Sequence, residues 1–289
     1  MRSYTSGIKR NYKDRLFKFI YGRDNEQSRR WLLSLYNALN DSNYTNTDEL
    51  KMTTIENIIY ITMKNDISFL IDGHMTLYEQ QSSYNPNMPL RGLLYFAQLY
   101  QKEISDRRAD IFGSSIVKIP TPRFVVFYNG LHAAPDISNL RLSDAFEIKD
   151  SSNEFEWTAT MYNINAGHNE SLQKKCISLY DYSRYISFIR ENIKKMTMED
   201  AVNDAVEKAI GENLLEGFFR QQKMEVLNMC LTEFNQEEYD RNRRLEGYEE
   251  GMHNKAVETA SKMMKKGISV QVIAECTGLS EMEVNSLKI

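Results

Sequence analysis

The sequence predicts a mixed α/β core followed by an all-helical region, and three features carry that prediction. An amphipathic stretch at residues 26–40 is followed by three short β-rich runs between residues 58 and 79. A buried helix and another apolar strand come next, and from about Glu170 onward strand signals give way to helical spacing. The 289 residues are 42% hydrophobic and 11% aromatic, enough to bury a core and too apolar for a disordered chain. Three widely separated cysteines, Cys176, Cys230 and Cys276, support neither a disulfide framework nor a CxxC metal knuckle. No apolar leader and no run of 18 apolar residues is present, so the expectation is a cytoplasmic protein with no membrane partner.

Each element has a local cause. Trp31, Leu32, Leu35, Ala38 and Leu39 form one apolar stripe, and the polar run Asn40 to Asn43 ends that helix. Ile58–Met63, Asp66–Ile71 and Met75–Glu79 are β-branched and aromatic, with Lys64-Asn65 and Asp72-Gly73 as turns. Pro89 suits a first helical turn, and Leu90–Tyr100 reads as a buried helix. Arg123–Tyr128 is a continuous apolar strand closed by Asn129-Gly130, and a further strand is expected within Phe155–Tyr162. Leu215, Phe218, Phe219, Val226 and Cys230 show helical spacing in the tail. Glu246 to Gly251 reads as a hinge. The domain boundaries expected are 1–195 for the core and 196–289 for the helical region. Within the latter, 269–289 (Ala274, Gly278 and Val284, with Ser280 as a cap) reads as an αα-hairpin or a helix-turn-helix.

The net charge is −4, yet residues 1–30 hold nine Lys/Arg against three acids, a local excess that suits either a phosphate backbone or a solvated helix face. The four histidines have no ligand partners at metal spacing, and no GxGxxG, GxxxxGK[ST] or GxSxG occurs, which removes the usual anchors of nucleotide-driven and serine-hydrolase chemistry.

The informative stretch is Lys64 to Ser82. If Asp72-Gly73 is a two-residue type I′ turn, cross-strand partners sum to 145, so Asp66 faces Glu79 and Lys64 faces Gln81 on one sheet face. Two converging carboxylates repel each other unless a divalent cation lies between them. The competing reading leaves Asp66 as a turn cap and Glu79 on an exposed strand, and spacing alone does not decide between them.

Asp66, twelve residues, Glu79-x-Gln81 and the following Ser82-Ser83-Tyr84-Asn85-Pro86-Asn87-Met88-Pro89-Leu90-Arg91 resemble the recombination-promoting nuclease and putative transposase family. That family belongs to the PD-(D/E)XK nuclease superfamily. Lys13 to Lys18 and Phe124 to Gly130 resemble it too, so the likeness spans about residues 10–190. The resemblance implies a restriction-endonuclease-like αβββαβ core and a metal-dependent DNA endonuclease. Asp66 and Glu79 would be metal ligands, Gln81 a catalytic residue, and Mg²⁺ or Mn²⁺ the cofactor. Gln81 stands where the superfamily usually has lysine, as the resembled family also has. An amide orients water or phosphate by hydrogen bonds but brings no positive charge. The register argument offers Lys64 as the source of the missing ammonium, against a solvent-facing turn lysine. Arg91 is a candidate phosphate contact or a helix-surface ion pair, and Asp14 either adds an acid or pairs locally. The expected partners are DNA and, through the helical region, a second copy. The alternative function is a catalytically silent DNA-binding or protein-interaction protein that keeps the nuclease fold.

Overall fold

The computed structural model describes residues 12–53, 67–148, 154–231, 252, 255–279 and 281–286, and the chain divides into two compact units, residues 1–233 and 234–289. In the first unit, α1 (Tyr12–Tyr21) and α2 (Glu26–Asn40) lead into β1 (Lys51–Met52), β2 (Ile67–Ile71) and β3 (His74–Gln81). Asn25 starts α2 because its side chain accepts from the Ser28 N–H at 2.9 Å, and Asp41, at φ 49°, ends it in the left-handed region. Then come α3 (Met88–Asp106), β4 (Thr121–Tyr128), β5 (Ile137–Arg141) and β6 (Thr158–Asn163). The helices α4 (Glu170–Lys175), α5 (Ile177–Asn192), α6 (Met198–Gly211) and α7 (Phe218–Gln221) complete the named elements of this unit.

The six strands form one mixed sheet in the order β1-β2-β3-β4-β6-β5. β1, β2 and β3 pair antiparallel, β3, β4 and β6 run parallel, and β5 closes the edge antiparallel to β6. Odd-numbered positions of β3 and even-numbered positions of β4 face α3. There Met75, Leu77, Phe124, Val126 and Met161 pack against Met88, Tyr95, Phe96 and Leu99. The opposite face is aromatic: Phe17 of α1 lies 5.3 Å from Phe127 and 5.5 Å from Tyr182 of α5, and Tyr78 bridges Phe69 and Phe127 at 5.3 Å each. Helices therefore cover both faces, as parallel pairing requires.

The β2–β3 hairpin has the expected register. All five described pairs, from Ile67↔Tyr78 to Ile71↔His74, sum to 145. Asp72 (φ 44°) and Gly73 (φ 71°) both take positive φ, the requirement of a type I′ turn. Asp66, Lys64, the run Ile58–Met63, the hinge at 246–251 and Ser280 lie outside the described residues. Three features differ from the sequence reading, the first being β1 at Lys51–Met52, two residues that lie before the first strand expected. β5 was not expected, because Ile137-Ser-Asn-Leu-Arg141 has only Leu140 facing the core, as befits an edge strand. The helix expected at Leu90–Tyr100 extends to Asp106.

In the second unit, a helical segment over 255–265 precedes the helices Val270–Thr277 and Glu281–Ser286. Ala260, Ile273, Leu279 and Val284 form its core. Gly278, at φ 72°, closes the middle helix by donating its N–H to Ala274 O at 2.9 Å, which explains the Ala274, Gly278, Val284 spacing. Among the described residues no helix is long and apolar enough to cross a membrane.

Candidate active site

Glu79 is the focal residue. It sits on β3 opposite Val126, on the α3 face, and is fully buried. The pleat places Gln81, two residues on, on the same face, and its Nε2 lies 3.4 Å from Glu79 Oε2. α3 supplies the counter-charge: Arg91 Nη2 lies 3.0 Å from Glu79 Oε2 and also donates to the Tyr95 hydroxyl at 3.1 Å. Arg91 reaches this carboxylate because Pro89 starts the helix just past the end of β3, and position 91 falls on the helix face turned to the sheet. The Arg91 side chain is about a quarter exposed, whereas that of Glu79 is fully buried.

Of the predicted site residues, Glu79, Gln81 and Arg91 thus come together, while Asp66 and Lys64 fall outside the described residues. Arg91, expected to meet a phosphate or to form a surface ion pair, forms an ion pair with a buried acid. Asp14 pairs with Lys18 one turn along α1, at 3.8 Å. Among the described residues no group of three His, Cys, Asp or Glu side chains is arranged to hold a metal. The described donors, a carboxylate and a carboxamide on one strand face, are hard oxygen ligands, and they fit Mg²⁺ or Mn²⁺ rather than an ion that prefers thiolate.

A cationic cluster beside Gln81 was not foreseen. Asn129, just past β4, donates its N–H to Gln81 O at 2.9 Å. Its own carbonyl accepts from Lys13 Nζ at 3.3 Å and from the Arg190 guanidinium of α5. Arg190 also donates to Asn165 Oδ1, just past β6, and Asn165 Nδ2 reaches Gly130 O at 3.1 Å. Burial pushes the Arg190 pKa below its ordinary value. Lys13 lies within a stretch singled out by the sequence, but nothing in the helical spacing of α5 marks Arg190.

A groove of about 400 Å³ between α4 and α5, lined by Glu170, Lys174, Tyr180 and Arg184 among others, includes none of the predicted site residues. The pairing of chemistry with strand ends, rather than this groove, defines the candidate site. Comparison with protein-family models, with curated proteins and with solved structures finds no match.

Proposed function

We propose that the chain is a divalent-metal-dependent endodeoxyribonuclease of the PD-(D/E)XK kind, in the transposase-associated, recombination-promoting branch. The observation that carries this reading is the fully buried Glu79, two residues before Gln81, on a hairpin whose register sums to 145. Burying a carboxylate in a sheet is costly unless cations meet it, and Arg91 is the cation that meets Glu79 here. The element order also supports the reading: a helix, three strands paired antiparallel, a crossover helix and a strand parallel to the third.

Asp66 and Glu79 would hold Mg²⁺ or Mn²⁺, which when bound supplies Lewis acidity at the scissile phosphodiester. Glu79 is held in one rotamer by Arg91 and Gln81, so its oxygens need little reorganisation. Gln81 orients water or a phosphate oxygen through its amide. Water attacks phosphorus, the bond to the leaving oxygen breaks, and no covalent enzyme intermediate forms. A second reading, a catalytically silent DNA-binding protein, is favoured by one feature: the amide at position 81 brings no positive charge.

Nicking of supercoiled plasmid decides between them. Expected is cleavage with Mg²⁺ or Mn²⁺ that EDTA abolishes and that the Asp66→Ala/Glu79→Ala double variant lacks. Folded protein that binds DNA but does not nick it with either metal would establish the silent reading. Lys64→Met, assayed in parallel, tests the lysine that the register argument would set opposite Gln81, and unchanged cleavage would exclude it as the missing cation.

A further inference from the structure

Arg190 is a partly buried cation that has no carboxylate among its partners within the described residues. Its hydrogen bonds go to the Asn129 carbonyl and to Asn165 Oδ1, and the ionisable groups that bear on it are the phenols of Tyr12, Tyr182 and Tyr128. It forms no ion pair with a carboxylate among the described residues. A second cation, Lys13, only 8% exposed, shares the Asn129 oxygen. A guanidinium withdrawn from water without a counter-ion is held at a cost. A purely structural strut between the loops after β4 and β6 would need hydrogen-bond donors and no charge, which a neutral side chain supplies more cheaply.

The location points to the missing partner. Asn129 and Asn165 follow the carboxyl ends of the adjacent parallel strands β4 and β6, where open α/β sheets bind ligands. Asn129 is hydrogen-bonded through the backbone to Gln81, so the cluster adjoins the candidate active site. Each Nη of Arg190 that bonds a loop carries a second hydrogen, and the planar fork suits two oxygens of one phosphate.

We propose that Arg190 forms a phosphate subsite at the carboxyl ends of β4 and β6, which holds a backbone phosphate of the DNA strand next to the scissile one. The identification of the anion as backbone phosphate rests on the nuclease reading, whereas the anion site itself does not.

Two measurements on the full chain test it. Thermal unfolding is followed in inorganic phosphate and in chloride at matched ionic strength, and binding of a labelled duplex is followed against salt in EDTA. Expected is a saturable phosphate-specific rise in Tm that Arg190→Gln removes. The slope of log affinity against log salt is expected to fall by about 1 in the same variant. Arg190→Lys keeps the charge and loses the fork. It moves the phosphate midpoint to higher concentration and serves where the glutamine variant does not fold. No phosphate-specific rise in the wild type, or a rise that folded Arg190→Gln retains, overturns the subsite. A rise lost in the variant with an unchanged DNA slope assigns the site to free phosphate and overturns the backbone assignment. Failure of the nuclease reading shows separately, as absence of metal-dependent nicking with the phosphate response intact.

Discussion

Asp181 of α5 shows how one side chain carries opposed demands. It is 8% exposed, burial pushes its carboxyl pKa upward, and its Oδ2 accepts the Leu215 N–H at 2.7 Å. Leu215 and Glu216 both sit at φ 52°, a left-handed pair that L residues with side chains rarely adopt, and this hydrogen bond helps to hold it. Asparagine keeps the acceptor and removes the buried charge, whereas alanine orphans the N–H. Asp181→Asn is therefore expected to match or exceed wild-type stability, and Asp181→Ala to lose about 1–3 kcal/mol in denaturant unfolding. An equal loss from both substitutions would mean that the charge itself stabilises the turn.

The contact between α3 and β4 turns on the absence of a side chain. A Cβ on Gly92 would lie 2.4 Å from Phe124 Cδ1 and 2.9 Å from Trp157 Nε1, so this residue lets the helix approach the sheet and places Arg91 beside Glu79. Gly92→Ala is expected to cost about 1–3 kcal/mol of stability. It should also weaken the proposed cleavage more than Asp181→Ala does, because it moves α3 away from the candidate site. Equal effects of the two on cleavage would argue that α3 does not position Arg91. At this scale the sequence was most legible where chemistry is local. The type I′ turn at Asp72-Gly73 announced the hairpin register, and the Glu79-x-Gln81 spacing followed from the strand period. β5 escaped because an edge strand buries few positions, and Arg190 escaped because its partners, Asn129 and Asn165, are 61 and 25 residues away. Contacts of that range leave no periodic trace.

Across the molecule, the carboxylates of Asp136, Glu156, Asp204, Glu212 and Glu258 have pKa values lowered chiefly by hydrogen bonds, from His168, Ser143, Lys208, Arg184 and Lys262 respectively. A folded pKa below the unfolded one means stability that is present above the unfolded value, about 4, and is lost as pH falls through the folded value. The raised Asp181 has the opposite sign: its contribution is present at low pH and is lost as pH rises through its folded pKa. Five against one, the net expectation is a Tm that falls as pH drops below about 4. A flat Tm over that range would show that these pairs are too solvent-screened to matter, as exposed pairs often are. The two clusters beside β3 also differ in how far apart in the chain their parts lie. Glu79, Gln81, Arg91 and Tyr95 lie within one continuous stretch, whereas the cationic cluster unites residues 13, 129, 165 and 190. Closing such long loops is slow compared with forming a hairpin and the helix that follows it. During synthesis the acidic half of the candidate site can therefore take shape while the cationic half still awaits α5, and a nascent chain would lack the proposed anion site until most of the first unit had been made.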